Sequence, residues 1–221
     1  GIAQERKIMK QYHKIQGLFK RDPKTNMFIE GEWSLPEFGY LAELDWVWTE
    51  KVGGTNMRVM FDGETLKFGG KTDKADLRAD LIENMNKMFS VDRMAAVFPD
   101  VTPNVVEENG ICLYGEGYGP GIQKIGKQYR DDKSFVLFDI RIGNWWLKRE
   151  DVSDIAVQLG IDHVPLFGVT PIAPMIDMVR TGLLSSWGDF ISEGVVGTPL
   201  VPLAARNGQR IITKIKTVDF V

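Results

Sequence analysis

The sequence contains little of what several common enzyme classes require. Its 221 residues include one cysteine, Cys112, and two histidines, His13 and His163. A single cysteine excludes an intrachain disulfide, and so few His and Cys side chains argue against a zinc site or a Ser-His-Asp triad. No apolar run approaches the roughly 20 residues that a membrane span needs. We therefore expect a soluble intracellular protein with no membrane partner.

The charge composition lacks a basic excess. The chain has 27 Lys and Arg against 30 Asp and Glu, a net charge of -3 and a pI near 5.5. Contact with nucleic acid must therefore come from a local basic patch rather than from the overall charge. Solvated surface side chains explain such a patch equally well. The basic residues that would form it are Lys71, Lys74, Arg78, Lys124, Lys127 and Arg130.

Short apolar strands and irregularly inserted helices make up the predicted elements. We predict a hairpin over residues 19–33 and strands over residues 45–51, 57–61, 65–68, 111–116, 135–142, 163–167, 193–196 and 210–216. We predict helices over residues 4–15, 76–89, 150–159 and 174–180. This order is typical of an α+β protein with antiparallel sheets rather than an alternating βαβ series. With no convincing linker or repeat, we expect one domain over residues 1–221, with 1–44 as a peripheral segment.

One stretch combines a strand end, a lysine and two glycines. Residues 50–56 read Glu-Lys-Val-Gly-Gly-Thr-Asn, and they follow an apolar, aromatic strand. Glycines let the backbone approach a phosphate closely, and a lysine whose proton is removed is a nucleophile. Lys51 is therefore a candidate for either role. Because Gly-Gly is also an ordinary hairpin signal, the stretch alone fits a surface lysine beside a turn as well.

Other chemical groups recur at predicted strand ends. They are Glu116 within Tyr-Gly-Glu-Gly-Tyr-Gly, Phe138 within Phe-Asp-Ile, Glu193 within Glu-Gly-Val-Val, and the pair Lys214 and Lys216. Carboxylates bind magnesium, an aromatic ring stacks on a base, and lysines neutralise phosphate oxygens. This inventory suits nucleotidyl transfer from a nucleoside triphosphate. Taken singly, each group also fits a surface acid, a core phenylalanine or a solvent-facing strand.

In this order the stretches resemble the motifs of the nucleotidyltransferase superfamily of ATP-dependent ligases and capping enzymes. They are most similar to the RNA ligase 2 group, whose first motif reads Glu-Lys-x-His-Gly-Thr-Asn. The resemblance covers residues 45–220 and includes Phe220 after the last lysine pair. It implies an adenylyltransferase domain of mainly antiparallel sheets flanked by helices, with the nucleotide in a cleft between sheets.

The resemblance also implies roles for individual residues. Lys51 would attack ATP and form a lysyl-AMP intermediate, with Lys214 and Lys216 as further catalytic residues. Mg²⁺ or Mn²⁺ would be held by Glu116 and Glu193. The nucleotide-binding residues implied by the resemblance are Glu50, Asn56, Lys71, Glu116, Phe138, Glu193, Lys214 and Lys216.

Three features depart from the family pattern. Gly53 stands where these enzymes usually have Asp or His, so a polar side chain next to the nucleophile is missing. Lys71 stands where an arginine is common. The sequence ends just after the last motif, so we expect no C-terminal accessory domain within residues 1–221.

The expected function is an ATP-dependent ligase that joins 5′-phosphate and 3′-OH ends, of RNA in the first instance. Sealing of DNA nicks and capping-type nucleotidyl transfer are alternatives within the same chemistry. A module that accepts AMP or binds nucleic acid without sealing is the alternative from another class, and Gly53 favours it. The sequence does not decide among these substrates, and it does not indicate an oligomeric state.

Overall fold

A computed structural model describes residues 12–72, 76–102 and 110–220 of the chain. These residues form two compact units: unit 1 contains residues 12–13 and 53–163, and unit 2 contains residues 14–52 and 164–220. The helix predicted over 4–15 lies outside the described residues up to residue 11, and residues 12–15 form no helix. A single domain over the whole chain stays a prediction.

The secondary structure follows the α+β pattern. The strands are β1 Gln16–Gly17, β2 Phe19–Arg21, β3 Phe28–Trp33, β4 Trp46–Lys51, β5 Thr55–Phe61, β6 Leu66–Gly69, β7 Ile111–Tyr118, β8 Ser134–Ile142, β9 Trp145–Trp146, β10 Leu166–Thr170, β11 Gly194–Pro199 and β12 Thr213–Lys216. The helices are α1 Pro36–Tyr40, α2 Ala79–Met88, α3 Val91–Val97, α4 Gly126–Tyr129, α5 Arg149–Leu159 and α6 Ile172–Thr181, followed by a 3-10 turn at Thr217–Asp219.

Unit 1 is built on an antiparallel sheet with strand order β6-β5-β7-β8-β9. Side chains alternate between the two faces of a strand, so Met57 and Val59 of β5 and Leu113 of β7 point into one hydrophobic core. Helices α2 and α5 cover this face with apolar residues that include Leu81 and Val152. The opposite face of the same sheet is therefore left to carry polar and aromatic side chains.

Unit 2 contains a second sheet, with strand order β1-β12-β11-β4-β10. Its strands pair antiparallel, except for the short parallel pair of β1 with β12. Trp46 and Trp48 of β4 are fully buried and pack with apolar residues of α6. A Cβ at Gly197 would lie 2.3 Å from the Trp48 ring, so the neighbouring strand needs glycine there.

The predicted α+β class with mainly antiparallel sheets is confirmed. The strand predicted over 163–167 is found at β10, and the elements β1, β9, α1, α3 and α4 were not predicted. Leu18 and Phe28, from the segment predicted to be peripheral, are part of the unit 2 core. Within the described residues, no helix combines the length and apolar character needed to cross a bilayer.

Candidate active site

Three lysines share one face of the unit 2 sheet. Because Trp46 and Trp48 point into the core, alternation places Lys51 of β4 on the opposite face. Ile215 of β12 also points into the core, so Lys214 and Lys216 face the same way as Lys51. In the register, Gly194 of β11 pairs with Lys51 on one side and with Lys216 on the other. The two flanking strands are therefore about 10 Å apart at this level.

The backbone at the start of β11 allows β12 to lie close beside it. Gly194 has a positive φ of 151°, and a Cβ there would lie 2.1 Å from the carbonyl oxygen of Ile215. Any other residue would push β12 away. Gly194 thus determines how closely the lysine pair approaches Lys51.

Lys51 forms an ion pair with Glu193, the residue just before β11. The Lys51 Nζ atom is 2.7 Å from the Glu193 Oε1 atom, and both side chains are about a quarter exposed, at 23% and 29%. Solvent screens a pair with this exposure, so its contribution to stability is small. Its importance is geometric, because it fixes the amine beside a carboxylate.

The pKa of Lys214 reflects the positive charges of this cluster. Burial, followed by the positive charges of Lys51, Lys216 and Arg21, holds the pKa of Lys214 below its usual value, and Asp219 partly offsets this. Burial and like charges both disfavour the protonated amine. The three lysines therefore concentrate positive charge on one face, which suits the binding of an anion, and the neutral form is favoured at Lys214.

Replacing Lys51 by methionine is expected to raise the pKa of Lys214. The substitution removes a nearby cation, which stabilises the protonated amine, so deprotonation moves to higher pH. Nitrogen-detected NMR titration of the lysine amines measures the change. A Lys20→Met variant, at an exposed site of β2, is the matched control. An unchanged or lower Lys214 pKa in the Lys51 variant would contradict the cluster.

Glu50 lies on the other face of β4 from Lys51. It is 1% exposed, its Oε2 atom accepts a hydrogen bond from the Ser185 hydroxyl at 2.7 Å, and its Oε1 atom accepts one from the Ser186 N–H at 2.7 Å. Burial raises the pKa of Glu50, and these hydrogen bonds oppose the rise. Glu50 thus ties the end of β4 to residues 185–186. Its contact with the nucleotide stays a prediction.

In unit 1, Asn56 and Glu116 are direct partners across β5 and β7. Both side chains lie on the face of the sheet away from the hydrophobic core, because Met57 occupies the core face. The Asn56 Oδ1 atom is buried and has no hydrogen-bond partner among the described residues. A buried acceptor without a partner is costly, so this atom marks a place where a ligand group would be stabilising.

Phe138 occupies a β-bulge. Leu137 pairs with Gly115 and Asp139 pairs with Tyr114, so Phe138 is an extra residue without a cross-strand partner. The extra residue shifts the alternation, so Leu137 and Ile140 both face the core while Phe138 and Asp139 both face away from it. The bulge therefore aims the half-buried Phe138 ring onto the face that carries Glu116.

Few of the described side chains are grouped in a way that would hold a metal ion. Across residues 12–72, 76–102 and 110–220, no group of three or more His, Cys, Asp or Glu side chains is placed to hold a metal ion. A divalent cation here would need oxygen ligands from water or phosphate in addition to the protein, which is the usual situation for Mg²⁺.

Comparison with known proteins identifies the family. Residues 44–216 match the RNA ligase family. The chain belongs to the RNA ligase family. This confirms the resemblance to RNA ligases found in the motif order. Among the curated proteins, none matches this family member in sequence.

Solved structures of the Naegleria gruberi RNA ligase have the same fold as this RNA ligase family member. A variant with AMP and Mn has a TM-score of 0.62 and 16% identity over 82% of this chain. A variant with ATP and Mn has a TM-score of 0.63 and 15% identity over 94%. An apo variant has a TM-score of 0.64 and 16% identity over 95%. The match covers only 52%, 58% and 60% of those proteins, respectively.

At Gly53, the backbone of this RNA ligase family member is held by a buried tyrosine. The Gly53 N–H donates a hydrogen bond to the hydroxyl of Tyr129 at 3.0 Å, in buried surroundings. Tyr129 lies at the end of α4, where its ring packs against Tyr118. The next residue, Gly54, passes so close to β7 that a Cβ would lie 2.1 Å from the Gly117 carbonyl oxygen. The loop after Lys51 is therefore held by Tyr129 and by close backbone packing.

Replacing Tyr129 by phenylalanine is expected to loosen this loop. The ring contact with Tyr118 is retained, but the buried Gly53 N–H loses its acceptor, at a cost of about 1–3 kcal/mol in the free energy of unfolding. Urea unfolding measures the effect. Tyr40→Phe, at a tyrosine that is 85% exposed, is the control. Wild-type stability in Tyr129→Phe would refute the assignment.

The basic residues predicted to contact nucleic acid differ in their exposure and in their contacts. Lys71 lies beyond the end of β6 and is exposed, as are Lys124 and Lys127, while Lys74 lies outside the described residues. Arg130 is instead bound to Asp132 at 2.7 Å and approaches Asp162 at 3.6 Å. The exposed lysines stay candidates for nucleic-acid contact, whereas Arg130 is held within unit 1.

Several site residues were not predicted from the sequence. Arg58 is 1% exposed on the same face of β5 as Asn56, and its Nε atom donates to the Gly70 carbonyl oxygen at 2.7 Å. Ser185 binds Glu50, and Tyr129 binds Gly53. The two-residue spacing from Asn56 to Arg58 was the only signal that placed a second polar group on this face.

Proposed function

We propose that this member of the RNA ligase family is an ATP-dependent RNA ligase that first adenylates Lys51. The observation that carries the proposal is the shared face of Lys51, Lys214 and Lys216, with Glu193 at 2.7 Å from the Lys51 amine. In the first step the Lys51 Nζ atom bonds to the α-phosphorus of ATP. The bond from that phosphorus to the pyrophosphate oxygen breaks, and a phosphoramidate to AMP remains.

The lysine cluster supports this step through its positive charge. An ammonium has no lone pair, so Lys51 must be a neutral amine when it attacks. Fixed positive charges stabilise the negative charge that develops on the phosphate oxygens. Glu193 holds the amine in position through its hydrogen bond.

Residues of unit 1 are proposed to bind the nucleoside. The bulge at Phe138 turns its ring onto the polar face, where an aromatic ring stacks on adenine. Glu116 and Asn56 lie side by side on adjacent strands and are proposed to contact the ribose and phosphate region. Glu50 and Lys71 are proposed to contribute to nucleotide binding from the chain segments next to Lys51 and β6.

The residues present fit a divalent cation. The buried Asn56 Oδ1 atom lacks a partner within the described chain, so it would accept a hydrogen bond from a metal-bound water. Glu116 and Glu193 are each proposed as ligands of Mg²⁺ or Mn²⁺. When bound, the cation supplies charge neutralisation for the triphosphate.

Sealing is proposed to follow in two further steps. A 5′-phosphate oxygen of an RNA end bonds to the AMP phosphorus, and the bond from phosphorus to Lys51 breaks. A 3′-OH then bonds to the 5′-phosphorus, and AMP leaves. The exposed Lys124 and Lys127 are proposed to contact the strand backbone.

The decisive experiment is intact mass spectrometry after incubation with ATP and Mg²⁺ or Mn²⁺. The expected result is a gain of one AMP, located on Lys51 by peptide mapping. No gain, or a gain on another residue, would refute the proposal. Nicked RNA, nicked DNA and diphosphate-ended RNA then test sealing and capping separately. AMP addition without joining of any end would identify a module that adenylates without sealing.

A further inference from the structure

The segment before β2 is built into the sheet that carries the lysine pair. β1 pairs in parallel with β12, with Gly17 in register with Lys214. The Leu18 N–H donates a hydrogen bond to the Lys214 carbonyl oxygen at 3.2 Å, and the Thr213 hydroxyl donates one to the Gln16 carbonyl oxygen at 2.9 Å. The backbone that bears Lys214 is thus held on its outer edge by residues 16–18.

Asp219 holds the same strand from the other end. Its side chain is 1% exposed. One carboxylate oxygen accepts a hydrogen bond from the Lys216 N–H at 2.7 Å, and the other accepts one from the Arg21 guanidinium at 2.7 Å. A carboxylate this deeply buried needs a cationic partner, because an unpaired buried charge is strongly destabilising. Arg21 is that partner.

Arg21 is itself fixed by further contacts. The Nη1 atom that binds Asp219 also donates to the Asn26 carbonyl oxygen at 3.0 Å, and the guanidinium lies 4.6 Å from the centre of the Phe28 ring. These contacts use the planar shape and the several donors of a guanidinium, which a lysine amine does not have. The position therefore requires arginine and not merely a positive charge.

We propose that Arg21 and Asp219 are positioning residues for the lysine pair of the adenylation site. They join β2 to the backbone of Lys216 and so fix the direction in which Lys214 and Lys216 present their amines. The inference rests on the proposed adenylation of Lys51, and it adds two residues that no motif of the family resemblance contained.

The test compares Arg21→Lys, Arg21→Met and Asp219→Asn with the wild-type protein. Single-turnover adenylation is followed by intact mass over a range of ATP concentrations, below the unfolding midpoint of every variant. The expected result is a fall of about 10-fold or more in the maximal rate for all three. Arg21→Lys should fail to restore the rate although it keeps the charge. Glu30→Gln, which removes the exposed ion pair between Glu30 and Arg180 in unit 2, is the control.

The outcomes separate this inference from the proposed function. If the wild-type protein gains no AMP, the proposed function fails before the variants are compared. If the wild-type protein is adenylated and the variants react at their full maximal rate with only a lower unfolding midpoint, the two residues are merely structural and the inference is wrong. Failure of both Arg21→Lys and Asp219→Asn to fold leads to the same conclusion.

Discussion

Lys51→Ala is expected to abolish covalent addition of AMP to the protein. The substitution removes the amine, and no other described lysine combines a position at the end of β4 with an ion pair to Glu193. The rate should fall below detection, since nucleophilic attack has no substitute group at this position. Intact mass after incubation with ATP and a divalent cation measures the result.

The control for this experiment is Lys20→Ala. Lys20 lies in unit 2 on β2 and is exposed, so its loss should leave the AMP gain unchanged. Persistence of the AMP gain in Lys51→Ala would show that another residue is the nucleophile. Loss in both variants would mean that the reaction responds to general destabilisation.

Lys214→Ala is expected to slow formation of the lysyl-AMP bond by about 100- to 1,000-fold. This is the typical effect of removing one preorganised group that stabilises charge in a transition state. Lys214 is half-buried on the same face as Lys51, so solvent does not replace its charge fully. Single-turnover rates at saturating ATP measure the effect and separate it from weaker ATP binding.

Other results for Lys214→Ala would assign Lys214 a different role. A rate within about threefold of wild type would place Lys214 outside the reacting centre. A normal maximal rate with a raised half-saturating ATP concentration would assign it to binding alone. Lys20→Ala serves again as the control with an exposed lysine.

The sequence was sufficient to locate the lysines but not the contacts that hold them. Alternation along a strand predicts that Lys214 and Lys216 share a face, and the structure has them so. The family match over residues 44–216 agrees with the motif order. These features were predictable because they depend on local spacing, which a sequence displays directly.

Other features depend on pairing between distant residues. The bulge at Phe138 exists only in the register of β8 against β7, so alternation alone misplaces Asp139. The bonds from Tyr129 to Gly53 and from Arg21 to Asp219 span 76 and 198 residues. No local pattern marks such partners, and the second pair links a segment that the sequence analysis had set aside as peripheral.

The division of the chain between the two units also has a consequence for the order of synthesis. Apart from residues 12–13, the described part of unit 1 is one continuous segment, 53–163, whereas unit 2 combines residues 14–52 with 164–220. A ribosome therefore finishes unit 1 while the strands that complete unit 2 are still untranslated, and folding units commonly form as they emerge. Lys51 is made before the continuous segment of unit 1, whereas Glu193, Lys214 and Lys216 follow it. Lys51 thus acquires its charged neighbours only after all of residues 53–163 have been translated.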